Sequence, residues 1–419
     1  MKKNPPDNHL SQIKIPVSQL TLGMYVTELD RSWLVSPFVF HGFFLSIDEH
    51  IAIVQAHCEF VIVDRSRIFE IEIKSLQQEQ LRQLVYPVMP SKNSSFFTEI
   101  NQAGAIFKQL NTLVEGLFKR IEQKQTLELL EAEKVIALLV ASIIKTPDTF
   151  LWLTQWKSSN NYTIQHTVNT CVLSLVLGRH IGLSVVRLKE LGLCGLLFDM
   201  GKGLVPEKIL NKPGKLAGKE IQIMKYHTVL GLKILKKSPG KIPLSVISVA
   251  YSHHERVDGK GYPRGIGWDK LTLATRIVAI ADMYDALTSD RSYRQECSHE
   301  NAIEIMQQKS GNHLDFALMT KFVECLGFYP PGTLVQLSND DVAIVVDSHY
   351  EEPLRPNIIL LLGADKQTKK QKLIVLADRD KDIGGEIYTI KQSVSEKACG
   401  LKRSEIKLAD VSYYNSQNK

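Results

Sequence analysis

Two adjacent histidines, His253 and His254, stand where an apolar helical run gives way to the glycine-rich loop Asp258-Gly-Lys-Gly-Tyr-Pro263. Consecutive helical residues point about 100° apart, so both rings reach one metal ion only if that helix end faces a pocket. Such a site needs more donors. They occur at wide intervals as His166, Asp199, His227 and Asp282, each on a separate expected helix. Mixed imidazole and carboxylate donors suit iron, manganese or zinc, and two such ions a few ångströms apart form a phosphoester-cleaving centre. A lone helical histidine is more often a satisfied core or surface residue, so the expectation rests on the set.

The ordered fragments around these donors carry a resemblance. They are Gln165-His166-Thr-Val-Asn169, Asp199-Met-Gly-Lys202, Leu210-Asn-Lys-Pro-Gly-Lys215, His253-His254-Glu255-Arg256, Asp258 to Pro263, and Asp282 to Arg294. Over residues 160–328 the chain resembles the HD-GYP family, a branch of the HD phosphohydrolases that hydrolyses cyclic di-GMP. The resemblance implies that Asp199 bridges two divalent ions, iron or manganese. His227, His253 and His254 would hold one ion, and His166 and Asp282 the other. It assigns Asp199 and Lys202 to catalysis and Lys202, Arg291 and Arg294 to the substrate phosphates, with Tyr262 stacking on or hydrogen-bonding to the nucleotide. Asp285 and Glu255 would orient ligands or pair with nearby cations.

One position departs from the family pattern. Where the naming His-Asp pair belongs, the chain reads Phe198-Asp199, and Phe has no lone pair to donate. One or two ions, with the second weakened, is therefore the expectation, together with hydrolysis of cyclic di-GMP to pGpG or GMP at reduced activity. Tyr162, one turn before His166, offers no carboxylate for a third ion. The rival expectation is an inactive relative that binds the cyclic dinucleotide or a signalling partner.

The elements that must position these residues follow from periodicity. Residues 97–158 are helical; Ile100, Ala103, Ile106, Phe107, Leu110, Leu113, Val114, Leu117 and Phe118 recur at three- and four-residue steps, an apolar stripe suited to a dimer seam or to packing on the next helix. Residues 159–328 are expected to form the HD-GYP domain, a helical bundle with donors projecting inward, in which Ser184 caps a helix ending at Phe198 and Asp282 and Asp285 share one face. Residues 1–75 read as a small α+β domain and 76–96 as a linker. Residues 329–411 alternate apolar runs with turns, a small β domain, and 412–419 form a tail. The fold class is mainly α, an HD-type bundle flanked by these two small domains. Trp33, Phe38, Phe40, Phe43 and Phe44 are expected in the core of the first domain.

Composition bounds the rest. Of 419 residues, 44% are hydrophobic and 23% charged, as in a globular protein, and the net charge of +6 is too dispersed to indicate DNA or RNA binding. The cysteines lack Cys-x-x-Cys spacing and read as reduced thiols; with no signal peptide and no membrane span, a cytoplasmic location is expected. The expected partners are cyclic di-GMP or cyclic GMP-AMP, a second copy of the chain, and a diguanylate cyclase or other signalling protein.

Overall fold

The computed structural model describes residues 12–21, 24–30, 43–45, 48–64, 96–155, 162–240, 242–289, 297–348, 352, 354–369, 371–382, 384–401, 403 and 406. The chain divides into two compact units, Met1–Leu84 and Val85–Lys419.

In the first unit the apolar alternation forms strands β1 (Gln12–Pro16), β2 (Tyr25–Leu29), β3 (Phe43–Phe44) and β4 (Phe60–Asp64), with helix α1 (Asp48–His57) before the last. They make one antiparallel sheet in the order β1-β4-β2-β3. Alternate residues Val61 and Val63 of β4 turn inward onto Ile15, Val26, Leu45 and Val54. Trp33, Phe38 and Phe40 lie outside the described residues.

The second unit opens with α2 (Phe96–Glu122), α3 (Leu130–Lys145) and α4 (Pro147–Thr154). The apolar stripe of α2 is buried within the chain, from Ala103 through Phe118 to Ile121, against α3, α4, the following helix and the 3-10 turn Met200–Leu204. That contact with neighbouring helices uses the stripe, so it is not a seam for a second copy. Next come α5 (Tyr162–His180) and α6 (Val185–Leu197), the most extensively packed helix pair. Every residue of α5 from His166 to Gly178 is buried. Ser184 caps α6 by accepting from the Arg187 amide, and the helix gives out at Phe198, directly before Asp199.

After the 3-10 turn the chain makes short helices, α7 (Glu207–Leu210) and α8 (Lys219–Lys225), then α9 (His227–Lys237), α10 (Leu244–Ser252), α11 (Leu273–Thr288), α12 (His299–Lys309) and α13 (Phe316–Leu326). Tyr226 breaks α8 from α9, so His227 opens a helix instead of lying inside one. The closing sheet comprises β5 (Leu334–Leu337), β6 (Val342–Asp347), β7 (Asn357–Leu362), β8 (Leu373–Val375) and β9 (Ile390–Ser393), antiparallel in the order β8-β7-β6-β5-β9. The edge strand β9 is polar (Ile-Lys-Gln-Ser) and lacks the apolar alternation that announces the other four. Ser348, just past β6, donates from its backbone and hydroxyl to Asp148 of α4, joining sheet to bundle.

All six cysteines are free thiols. Among the described residues no single helix is long and apolar enough to cross a membrane; α3 and α4 together approach that composition but meet at 113°.

Candidate metal centre

His227 opens α9, and its Nδ1 lies 2.7 Å from the Met224 carbonyl. His253 caps the end of α10, with Nδ1 3.1 Å from the Val249 carbonyl. A carbonyl only accepts, so each ring donates from Nδ1 and presents a lone pair at Nε2. Those two Nε2 atoms face each other at 3.1 Å. Asp199 Oδ1 lies 3.3 Å from the His227 nitrogen and 3.8 Å from that of His253. Three acceptors turned together without a proton between them repel one another unless a cation sits among them. The donor atoms of His227, His253 and His254 fall within 4.8 Å of one another, a spacing that fits a single metal ion.

Burial tunes these groups toward ligation. It pushes the pKa of His227 down to about 4 and those of His253 and His254 below their ordinary value, so all three rings are neutral donors at neutral pH. For Asp199 burial acts the other way, but the Lys202 ammonium and the surrounding imidazoles outweigh it and hold the carboxyl far below the usual range. Asp199 is fully buried. Lys202 contacts its Oδ2 as an ion pair, yet neither carboxylate oxygen has a hydrogen-bond partner of normal geometry. A buried carboxylate left in that condition suits a cation.

His166 differs from the trio. Its Nε2 lies 2.9 Å from Asp282 Oδ1 and its Nδ1 2.7 Å from Asp285 Oδ2. Burial opposes its charge, but the two carboxylate hydrogen bonds prevail and raise its pKa to about 9. Asn169, one turn along α5, donates to the other Asp285 oxygen at 2.7 Å. Phe198, 1% exposed, sets its ring edge-on against both His166 and His253, with centroids 5.9 and 5.0 Å away. Tyr162 stacks on the His166 ring at 5.4 Å.

The glycine-rich loop closes over this arrangement. Tyr262, in a cis bond to Pro263, stacks on His254 at 4.8 Å, and Lys225 Nζ lies 5.0 Å from the Tyr262 ring centre. Glu255, buried, accepts from the backbone amides of Arg264 and Ile266 at 2.6 and 3.2 Å; it fastens the loop rather than orienting a ligand. A Cβ on Gly261 would come within 2.4 Å of the Glu255 backbone, so only glycine lets the loop lie this close.

Of the residues expected at the site, Asp199, Lys202, His227, His253 and His254 cluster, with Tyr262 beside them. His166 and Asp282 meet each other, and His254 Nδ1 is 3.9 Å from Asp282 Oδ2. Arg291 and Arg294 lie outside the described residues. Asn169 and Lys225 were not singled out by sequence. For Asn169 the available signal was its place one turn past His166, on the same helical face.

The HD domain family matches residues 152–318, and a domain of unknown function (DUF3391) matches residues 12–132. A cyclic di-GMP phosphodiesterase of Pseudomonas aeruginosa is 33% identical over 84% of this chain and 85% of its own length. This chain belongs to the HD-GYP family. A second relative, 3'3'-cGAMP-specific phosphodiesterase 1 of Vibrio cholerae, is 36% identical over 42% of this chain and 37% of its own. Among solved structures, an HDG"Y"P protein from Bdellovibrio bacteriovorus covers 74% of this chain and 98% of its own at 14% identity, with a TM-score of 0.46.

Proposed function

We propose that this HD-GYP protein is a cytoplasmic, metal-dependent phosphodiesterase that opens cyclic di-GMP to linear pGpG or GMP, with cyclic GMP-AMP as the alternative substrate. The observation that carries the reading is the convergence of His227, His253 and His254, all neutral, on the buried Asp199 carboxylate. The names of the relatives supply the substrate class.

One divalent ion, iron or manganese, would be held by His227, His253, His254 and Asp199; when bound, it supplies an acidified water and an electrophilic contact for the phosphate. The protein's own groups do the rest. Met224 and Val249 carbonyls fix the tautomers that keep two lone pairs directed inward. Lys202 lies where it offsets negative charge beside Asp199, and Tyr262 lies over His254 as a flat wall against which a nucleotide packs. His166 and Asp282 satisfy each other, and Phe198 adds no donor, which is why a single strongly held ion is proposed.

Metal content per chain together with turnover of cyclic di-GMP tests this. The expected result is one ion per chain and slow release of pGpG that stops on chelation; metal-loaded protein giving no linear product would remove the enzymatic reading. Phe198 favours a second reading, a module that binds the dinucleotide or a diguanylate cyclase without turning anything over. Binding without turnover in the natural chain, with turnover appearing in Phe198→His, would select it.

A further inference from the structure

The chain's positive charge is less dispersed than its total suggests. Residues 202–240 hold nine lysines and two glutamates, a net +7 where the whole chain carries +6. A groove of about 460 Å³ lies among them, with Leu204 and Val205 after the 3-10 turn, Ile223 of α8, and Tyr226 and Leu230 in its lining. Leu204, Ile223 and Tyr226 are exposed. Lys219 stands one turn before Ile223 on α8, and Lys233 and Lys237 follow Leu230 at helical spacing on α9, so these lysines share the faces that line the groove. Lys233 Nζ reaches the Tyr226 hydroxyl at 2.9 Å. All three lysines are exposed, and among the described residues none has an ion-pair partner.

An apolar floor with a cationic rim calls for an occupant that brings an apolar anchor and carboxylates together. One stretch of this chain has that composition. From Glu122, where α2 ends, to Glu133, in the first turn of α3, there are four glutamates against one lysine, a net −3. Leu130 in their midst is 66% exposed. Glu128 pairs with Arg120 at 3.8 Å; Glu122, Glu131 and Glu133 are exposed and, among the described residues, have no ion-pair partner. The two surfaces adjoin. A Cβ on Gly203 would meet Ile121 at 3.0 Å, so the residue after Gly203 opens the groove and the residue after Ile121 opens the acidic corner. Within one chain Leu130 stays exposed, so the corner does not fill its own groove. A second molecule related by a two-fold axis presents each surface to the other, and the pairing closes after two chains. We propose that a second copy of this chain docks here, with Leu130 entering the groove and Glu131 and Glu133 meeting Lys219, Lys233 and Lys237, twice per dimer. This interface is distinct from the α2 stripe, which the chain's own helices cover, and it does not rest on the hydrolase reading.

Sedimentation equilibrium of the full-length protein tests it. The natural chain is expected to dimerise at micromolar concentration and to dissociate as salt rises, because the charges at the rim are exposed. Lys233→Glu combined with Lys237→Glu, and separately Glu131→Lys combined with Glu133→Lys, are each expected to raise the dimer Kd at least about tenfold. Mixing the two variants is expected to restore a heterodimer, since every acidic surface then faces a basic one. Leu130→Ser leaves all charges in place and is expected to weaken the dimer about tenfold; it decides the matter should either charge-reversed pair melt lower than the natural chain. A natural chain that stays monomeric, a dimer that none of these substitutions weakens, or well-folded reversed variants that do not recover on mixing overturns the interface. So does a monomer that sediments with phosphatidylserine vesicles, which would make the basic surface a membrane contact.

Discussion

Two kinds of histidine occupy one small volume, and burial separates them from hydrogen bonding. His227 has its pKa pushed down to about 4, against about 6.5 in an unfolded chain. Between those values the unfolded state carries a proton that the folded state refuses, so stability falls as pH drops from 6.5 toward 4 and is flat above 6.5. Melting of metal-stripped protein from pH 7 to pH 4.5 is expected to show that decline, with a shallower slope in His227→Gln; an unchanged slope would contradict it. Phe198 makes a second case. Its ring touches both His166 and His253, so Phe198→His is expected to raise bound metal from one ion toward two per chain and turnover by about tenfold or more, read by metal analysis and product release. Lys202→Met should cost on the order of a hundredfold in turnover. At this scale the donors were legible because they stood in recognisable fragments such as Asp199-Met-Gly-Lys202 and His253-His254-Glu255-Arg256. The bonding of His166 to two carboxylates was not, because that depends on three side chains from two helices meeting at hydrogen-bond distance.

Among the elements, close approach of backbones fixes where the donors sit. A Cβ on Gly201 would lie 1.8 Å from the His227 carbonyl oxygen and 2.6 Å from the Gly231 amide. The 3-10 turn carrying Lys202 thus rests directly on the first turn of α9, which brings Asp199 beside His227. Gly201→Ala is expected to destabilise the fold by at least about 3 kcal/mol, the upper end of ordinary overpacking, and to lower metal affinity. Denaturant unfolding and metal titration check both. The helices themselves were readable from their apolar period and from caps such as Ser184. Two features escaped: the break at Tyr226, since helical propensity continues through Lys225-Tyr-His227, and the polar edge strand β9, whose pairing with β5 comes from the chain's return and not from its own pattern.

Across the second unit, the junction of bundle and sheet holds two carboxylates. Burial raises Asp148, and burial together with Asp148 raises Asp347 to about 7 against a hydrogen bond from Asn357. A carboxyl protonated when folded and ionised when unfolded stabilises fully below the unfolded value near 4, and that contribution is lost as pH rises through 7. Asp347→Asn should therefore melt higher than the natural chain at pH 8 and little differently at pH 4.5; equal melting at pH 8 would refute the assignment. The bundle and the flanking small sheets were visible in the sequence, whereas the use of α2 was not, because an amphipathic stripe looks the same whether a sister helix or a second molecule covers it. Its burial inside the chain also limits how freely this protein can be recombined. The HD domain match begins at residue 152, yet the helix that packs on its first elements ends thirty residues earlier, at Glu122. Transplanting the segment onto another protein without that upstream helix would uncover the apolar surface of α5 and of the 3-10 turn on which α2 packs.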